Sequence, residues 1–266
     1  MIIILKGVEN MIGFIGAGNI GGAVITGLVR NGFDNDQIVV KGGKSNTTKD
    51  LQSQLGFKMV PKIKQLTDPE VIFIAVGETA LDSVLSELSA VSEGKLIVTF
   101  TGGATIPRLK KKLGSDAKVA TAIPNTPVKV GAGFTGITYS ENFEPADKKK
   151  VASILGYTGQ IVEVPSEQLG ILGTVAGCSP AFLDLFIEAL SDAGVKHGLN
   201  RKLAYDAAIG MAIGASKLAK QSDLSVPELK DEVTSPGGST IRGVTALEEN
   251  GFRNAVIKAV DAAEGE

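Results

Sequence analysis

Short apolar runs alternate with amphipathic stretches over the first two thirds of the chain. Residues 11–15, 38–40, 71–76, 96–99 and 119–123 read as strands, and Val71-Ile72-Phe73-Ile74-Ala75-Val76 has no polar position at all. An unbroken apolar run of that kind marks a parallel strand covered on both faces. Residues 18–30, 47–55, 79–91 and 106–113 carry helical spacing between those runs. Strands separated by helices predict βαβ units around a parallel sheet. Weaker strand patterns at 134–139 and 160–164 flank a helix at 145–155.

Beyond about Pro165 the strand pattern stops and helices are expected. Ser179 is placed to cap a helix with Pro180 at its first position, where the missing N–H costs nothing. That helix runs towards Ala193. Its acids Asp184, Glu188 and Asp192 form one stripe at spacing four, surrounded by Phe182, Leu183, Leu185, Phe186, Ile187 and Leu190. A helix apolar on most of its circumference needs more cover than a small domain offers, so burial against a second subunit is expected. The next helix, 200–221, is Ala-rich. Gly210 and Gly214 are four apart on it, a spacing that lets two helix backbones come close. Segments 241–249 and 253–263 complete the helical part.

Gly16-Ala17-Gly18-Asn19-Ile20-Gly21 matches G-x-G-x-x-G between a strand and a helix, the context in which the motif has a mechanism. Gly16 allows the tight turn, Gly18 lets a pyrophosphate reach the backbone, and Gly21 lets the helix lie close to the sheet. The helix then offers free N–H groups and a positive dipole end to the phosphates. The alternative is a Gly-rich turn that binds nothing. The expected architecture is therefore α/β: a Rossmann-type parallel-sheet domain over 1–165, then an all-α dimerisation domain over 166–266. Where the second strand ends, an acid would hold the ribose 2′-hydroxyl of NAD. This chain has Val40-Lys41-Gly42-Gly43-Lys44-Ser45 instead. Two cations and no acid favour a 2′-phosphate, hence NADP(H), with NAD(H) as the alternative; Lys41 and Lys44 could equally be solvated loop lysines.

Composition narrows the partners. The 266 residues carry 27 Lys and Arg against 29 Asp and Glu, a net charge of -2, so no basic field exists for a nucleic acid. A single cysteine, Cys178, excludes a disulfide framework and fits a reducing, cytoplasmic setting. It is expected to be a buried small residue. One histidine, His197, cannot build a multi-His metal site, so no metal is expected. Ile2-Ile3-Ile4-Leu5 is too short for a signal sequence, and no stretch reads as long enough to cross a bilayer. No membrane partner is expected.

The segment Thr234-Ser235-Pro236-Gly237-Gly238-Ser239-Thr240-Ile241 joins a Pro-Gly-Gly turn to hydroxyl residues able to cap a helix near Ile241. Local chemistry leaves two readings, a cap with no ligand or a cradle for a small anion such as a carboxylate. The longer run from Leu229 to Thr240 resembles the signature of the pyrroline-5-carboxylate reductase family. Residues 13–19 resemble that family's first strand and turn, and Pro124-Asn125-Thr126-Pro127 its loop after a later strand. Gly177-Cys178-Ser179-Pro180-Ala181-Phe182 is similar to its helix start, and residues 193–199 to its next turn. Residues 1–10 precede the usual start, leaving Met11 as an alternative initiator or the segment as an ordered tail.

The resemblance implies NADPH-dependent reduction of 1-pyrroline-5-carboxylate to L-proline, in an interlocked helical homodimer or a larger homo-oligomer. It implies that Ser235, Gly238, Ser239 and Thr240 hold the carboxylate and ring nitrogen of a cyclic imino acid. It implies that Ala75, Val76, Thr101 and Gly102 line the nicotinamide side of the cleft. The chain departs from the family where Gly77-Glu78 replace its usual Lys-Pro, and at Phe100-Thr101-Gly102-Gly103; both departures border the cofactor. A protonated imine is already electrophilic, so no strong acid is needed, and Thr240 would hydrogen-bond the ring nitrogen. The rivals are a reductase of another cyclic imino acid, a non-catalytic NADP sensor, and a β-hydroxyacid dehydrogenase. The last needs a helical Lys, which residues 182–188 lack.

Overall fold

The structure, a computed structural model, describes residues 11–43 and 46–265. The chain forms two compact units, one ending at Gly177 and the other starting at Cys178.

The first unit is built on one eight-stranded sheet in the order β3-β2-β1-β4-β5-β6-β7-β8. The strands are β1 (Ile12–Ile15), β2 (Ile38–Lys41), β3 (Lys58–Met59), β4 (Val71–Ile74), β5 (Leu96–Thr99), β6 (Lys118–Pro124), β7 (Gly133–Tyr139) and β8 (Gly159–Glu163). Neighbours from β3 to β6 are parallel; β7 is antiparallel to β6, and β8 parallel to β7. The order reverses between β1 and β4, the switch point at whose carboxyl end ligands bind in such sheets. Helices α1 (Asn19–Arg30), α2 (Thr47–Leu55), α3 (Glu78–Leu88), α4 (Ile106–Leu113), α5 (Pro145–Leu155) and α6 (Ser166–Gly173) connect and follow the strands.

The continuous run in β4 explains why the sheet is covered on both sides. Val71 and Phe73 join Phe14, Val24, Leu28 and Val98 in one core. Ile72 and Ile74 join Leu81, Leu85, Leu88 and Leu109 in the other. Alternate side chains point to opposite faces, so a strand feeding two cores must be apolar throughout. Phe73 stacks between Phe14 and Phe100, with ring centroids 5.0 and 5.5 Å away. Each such burial contributes roughly 1.5–3 kcal/mol.

The second unit holds α7 (Ser179–Lys196), α8 (Arg201–Gln221), α9 (Val226–Glu232), α10 (Ser239–Glu249) and α11 (Phe252–Glu264). The α7–α8 hairpin is closed by Asn200, whose side chain accepts from the Leu203 amide at 2.9 Å. Arg201 at the start of α8 reaches back to Asp192 at 2.7 Å and to Ser191 at 2.9 Å. Among the described residues, Ala204 and Ala208 are the only buried apolar side chains of this unit. Leu185 is 66% exposed, Ile213 52% and Ile257 60%. A unit with so little core of its own leaves a large apolar surface without cover inside the unit.

Several expectations are corrected here. Ser179 does not cap α7: five π-helical residues, Thr174–Cys178, join α6 to α7, and Cys178 is already in the helical region. The join makes Ser166–Lys196 a 31-residue helical run containing an 18-residue window of mean hydropathy 1.6, long and apolar enough to cross a membrane by length and composition alone. The expectation of no such stretch therefore fails; Pro180 reads as a helix start and hides the continuity. Cys178 is exposed in the single chain, not buried. A Cβ on Gly210 or Gly214 would meet nothing within 4 Å. Their close approach, expected from the spacing, is not made inside the chain.

Candidate active site

At the switch point, β1 ends in a turn that only glycine fits. Gly16 has φ +93°, and a Cβ there would lie 2.4 Å from the Ala75 carbonyl oxygen. Its amide donates to the Lys41 carbonyl at 2.9 Å, which ties the turn to the end of β2. Gly18 stands at the N-cap of α1, and a Cβ on it would face open space. A Cβ on Gly21 would meet the Gly16 carbonyl at 2.6 Å and Ala75 Cβ at 2.7 Å. Ala17 is buried, Ile20 packs on the core, and Asn19 is exposed. No side chain caps α1 and no acid sits in its first turn. Its positive end is thus unneutralised and open to an anion. These observations fit a dinucleotide pyrophosphate at residues 16–21.

The loop after β2 continues through Gly42 and Gly43 towards α2. Lys44 and Ser45, expected at the 2′-phosphate, lie outside the described residues. Lys41 is half-buried at the strand end.

Beside the cradle, the ends of β4 and β5 carry Ala75, Val76, Gly77, Thr101 and Gly102. The structure brings these together: Thr101 Oγ1 donates to the Val76 carbonyl at 3.0 Å, and the Thr101 amide donates to Thr99 Oγ1 at 3.1 Å. Gly77 is the N-cap of α3. The two departures from the family pattern also meet. A Cβ on Gly103 would lie 2.8 Å from Glu78 Oε1, so the carboxylate lies over a residue that has no side chain. Arg108 of α4 binds that carboxylate at 3.3 Å and Asp82 at 3.0 Å. Hydrogen bonding to Asp82, more than to Glu78, holds the Arg108 guanidinium above its usual pKa. Nothing local in the sequence announces this cluster, because its partners are 26 and 30 residues apart.

The second unit presents the other half of the expected chemistry. A loop between α9 and α10 turns at Gly237, φ +69°, and Arg242 Nη1 donates to the Gly237 carbonyl at 2.6 Å. The Gly238 amide donates to the Ser235 carbonyl at 3.0 Å. Helix α10 starts at Ser239 rather than near Ile241, with Gly238 as N-cap and no side-chain cap. Ser239 and Thr240 are therefore the first two helical residues, which corrects the cap reading. Ser235, Ser239 and Thr240 are exposed. Their hydroxyls have no hydrogen-bond partner among the described residues. Together with the first amides of α10, and with the Arg242 guanidinium held on the Gly237 carbonyl, they form a donor-rich turn suited to a carboxylate. His197 ends α7. No group of three or more His, Cys, Asp or Glu that could hold a metal occurs among the described residues.

Comparison with known proteins gives consistent results. A family model described as pyrroline-5-carboxylate reductase dimerisation matches residues 166–266, and one described as NADP oxidoreductase coenzyme F420-dependent matches residues 11–103. The pyrroline-5-carboxylate reductase of Synechocystis is 35% identical over 254 residues, 95% of each chain. That of Escherichia coli is 36% identical over 255 residues, again 95% of each. The crystal structure of Plasmodium falciparum pyrroline carboxylate reductase with NADP bound superposes with a TM-score of 0.86 at 34% identity, covering 97% of each chain.

Proposed function

The chain belongs to the pyrroline-5-carboxylate reductase family, and from that premise we propose that it reduces 1-pyrroline-5-carboxylate to L-proline with NADPH, the last step of proline biosynthesis. The observation that carries this reading is the 235–240 turn, where Ser235, Ser239 and Thr240, whose hydroxyls have no partner among the described residues, lie at or just before the uncapped N-terminus of α10. Bound NADPH supplies a hydride, and everything else required is positioning and charge complementarity. Ser235, Gly238 and Ser239 hold the substrate carboxylate through hydroxyls and backbone amides. Thr240 hydrogen-bonds the ring nitrogen and sets which face of the imine is presented. The protonated imine is electrophilic without a strong acid, which suits a turn made of hydroxyls and amides.

On the cofactor side, Gly16, Ala17, Gly18, Asn19, Ile20 and Gly21 hold the pyrophosphate through backbone amides and the α1 dipole. Lys44 and Ser45 take the 2′-phosphate, and Ala75, Val76, Gly77, Thr101 and Gly102 line the nicotinamide. Residues 1–165 serve the dinucleotide, and 166–266 serve assembly and substrate. The protein works in the cytoplasm as a homodimer or higher homo-oligomer. The apolar Ser166–Lys196 run supports assembly over membrane insertion, because it lies in the segment matched as a dimerisation region.

The test is direct. Purified protein given 1-pyrroline-5-carboxylate should consume NADPH and yield L-proline by chromatography. Turnover of a different cyclic imine in a panel, with none of this one, would move the assignment to that imine. NADPH binding with no turnover of any imine would favour a sensor.

A further inference from the structure

Two loops that line the proposed nicotinamide side are tied together at two points. The first tie is the Thr101 hydroxyl on the Val76 carbonyl, 3.0 Å. The second runs through α4: Thr105 Oγ1 accepts from the Arg108 amide at 3.3 Å, fixing the first turn, and the guanidinium then reaches Glu78 and Asp82 on α3. Glu78 and Asp82 are four residues apart on one helical face, where two carboxylates repel each other. Arg108 sits between them and relieves that repulsion. Gly103, at φ +71°, leaves room for the Glu78 carboxylate, which a Cβ would approach to 2.8 Å.

We propose that Arg108 is a positioning residue: by holding Glu78 against Gly103 it sets the spacing of the 75–78 and 100–103 loops, and through them the pose of the nicotinamide ring. The proposal rests on the cofactor assignment above. The side chains concerned are solvent-accessible, with Glu78 62% exposed and Arg108 30%. Exposed ion pairs contribute little to global stability. A tie that positions should therefore show in turnover and not in melting. The pyrophosphate cradle is elsewhere in the sequence and does not depend on Arg108, so dinucleotide affinity should barely change.

The experiment compares wild type with Arg108→Ala, Arg108→Lys, Glu78→Gln and the double variant Glu78→Gln/Arg108→Ala. Arg108→Ala should lower kcat roughly five- to tenfold through misplacement of the reacting ring. The Kd for NADPH should stay within about twofold and Tm should hold. Arg108→Lys should recover only part of kcat, because one ammonium cannot fork between two carboxylates. The double variant should be no slower than Arg108→Ala, since both changes cut the same tie. The fluorescence of bound NADPH, which reads the environment of the ring without turnover, should differ between wild type and Arg108→Ala. Wild-type kcat and fluorescence in both Arg108→Ala and Glu78→Gln would overturn the proposal, as would losses that multiply in the double variant or a collapse of NADPH affinity. If the wild type turns over no imine while the fluorescence still changes, the substrate assignment fails and the tie stands.

Discussion

Asn125 Nδ2 donates to the Ala176 carbonyl at 3.0 Å, while Oδ1 of the same amide accepts from the Phe134 backbone at 2.9 Å. The first bond has a covalent cause. In an α-helix the Ala176 carbonyl would take the amide of residue 180, and Pro180 has none. The Thr174–Cys178 π-turn and the Asn125 side chain together accommodate the proline. Asn125→Ala should therefore lower stability by about 1–3 kcal/mol, the cost of leaving two buried-side partners unpaired. Asn125→Asp should be at least as damaging, because its carboxylate faces the Ala176 carbonyl and cannot donate. Urea midpoints at constant m-value would show this; unchanged midpoints would mean that water replaces the amide fully.

Thr240 separates structure from chemistry cleanly, because it is not the cap of α10 and its hydroxyl has no hydrogen-bond partner among the described residues. Thr240→Val should leave Tm near the wild-type value. It should reduce kcat/KM roughly ten- to a hundredfold, the value of one hydrogen bond to a charged group. Thr240→Ser should regain most of the loss. NADPH affinity should be unaltered in both. Full activity in Thr240→Val would leave the turn as a carboxylate cradle alone.

Cofactor choice has its own test. Lys44→Glu should erode a kcat/KM preference for NADPH over NADH by removing a partner of the 2′-phosphate. An unchanged ratio would make Lys44 a solvated loop residue and shift the role to Lys41.

Acid sensitivity follows from Asp147 on α5. Burial pushes its carboxyl up, but hydrogen bonds from Lys118 and the Glu144 amide, with the charges of Lys118 and Lys150, outweigh burial and hold it below the usual range. Lys118 Nζ lies 2.6 Å away. A carboxyl with a lowered folded pKa stabilises the fold above its unfolded value, about 3.9, and loses that contribution as pH falls through the folded value. Asp147→Asn should thus melt lower than wild type near neutrality, with the gap closing below about pH 4. A gap independent of pH would assign the effect to packing.

Much of this architecture was legible because local signals agreed with the tertiary outcome. Helix α4 runs over the expected 106–113 because Thr105, Pro107 and Gly114 punctuate both ends. Strand β5 needed only its apolar run. Strand β3, two exposed residues at Lys58–Met59, has no apolar pattern to reveal it. Helix α6 escaped notice because Gly170 and Gly173 weaken its pattern and Pro180 imitates a start. In the site, the 16–21 cradle could be read from spacing, since its physics is local backbone geometry. The Glu78–Arg108–Asp82 cluster could not, because it exists only once α3 and α4 lie side by side.

The apolar faces of α7, α8 and α11 demand cover. Sedimentation at micromolar concentration should show at least a dimer, and a charge at an exposed face position, such as Leu185→Glu, should shift it towards monomer. A stable wild-type monomer would show that the faces are covered some other way.

Among the described residues beyond Gly177, Ala204 and Ala208 are the only buried apolar side chains, so the carboxy-terminal third of a newly made chain has almost no apolar core to collapse around. If a second copy covers these faces, as proposed above, the final phase of folding is expected to be second order in chain concentration. A refolding series at increasing protein concentration would accelerate in that phase while the sheet domain forms at one rate throughout. On that reading the supply of assembled protein rises faster than linearly with chain concentration when chains are scarce, and dilution costs more than its proportion.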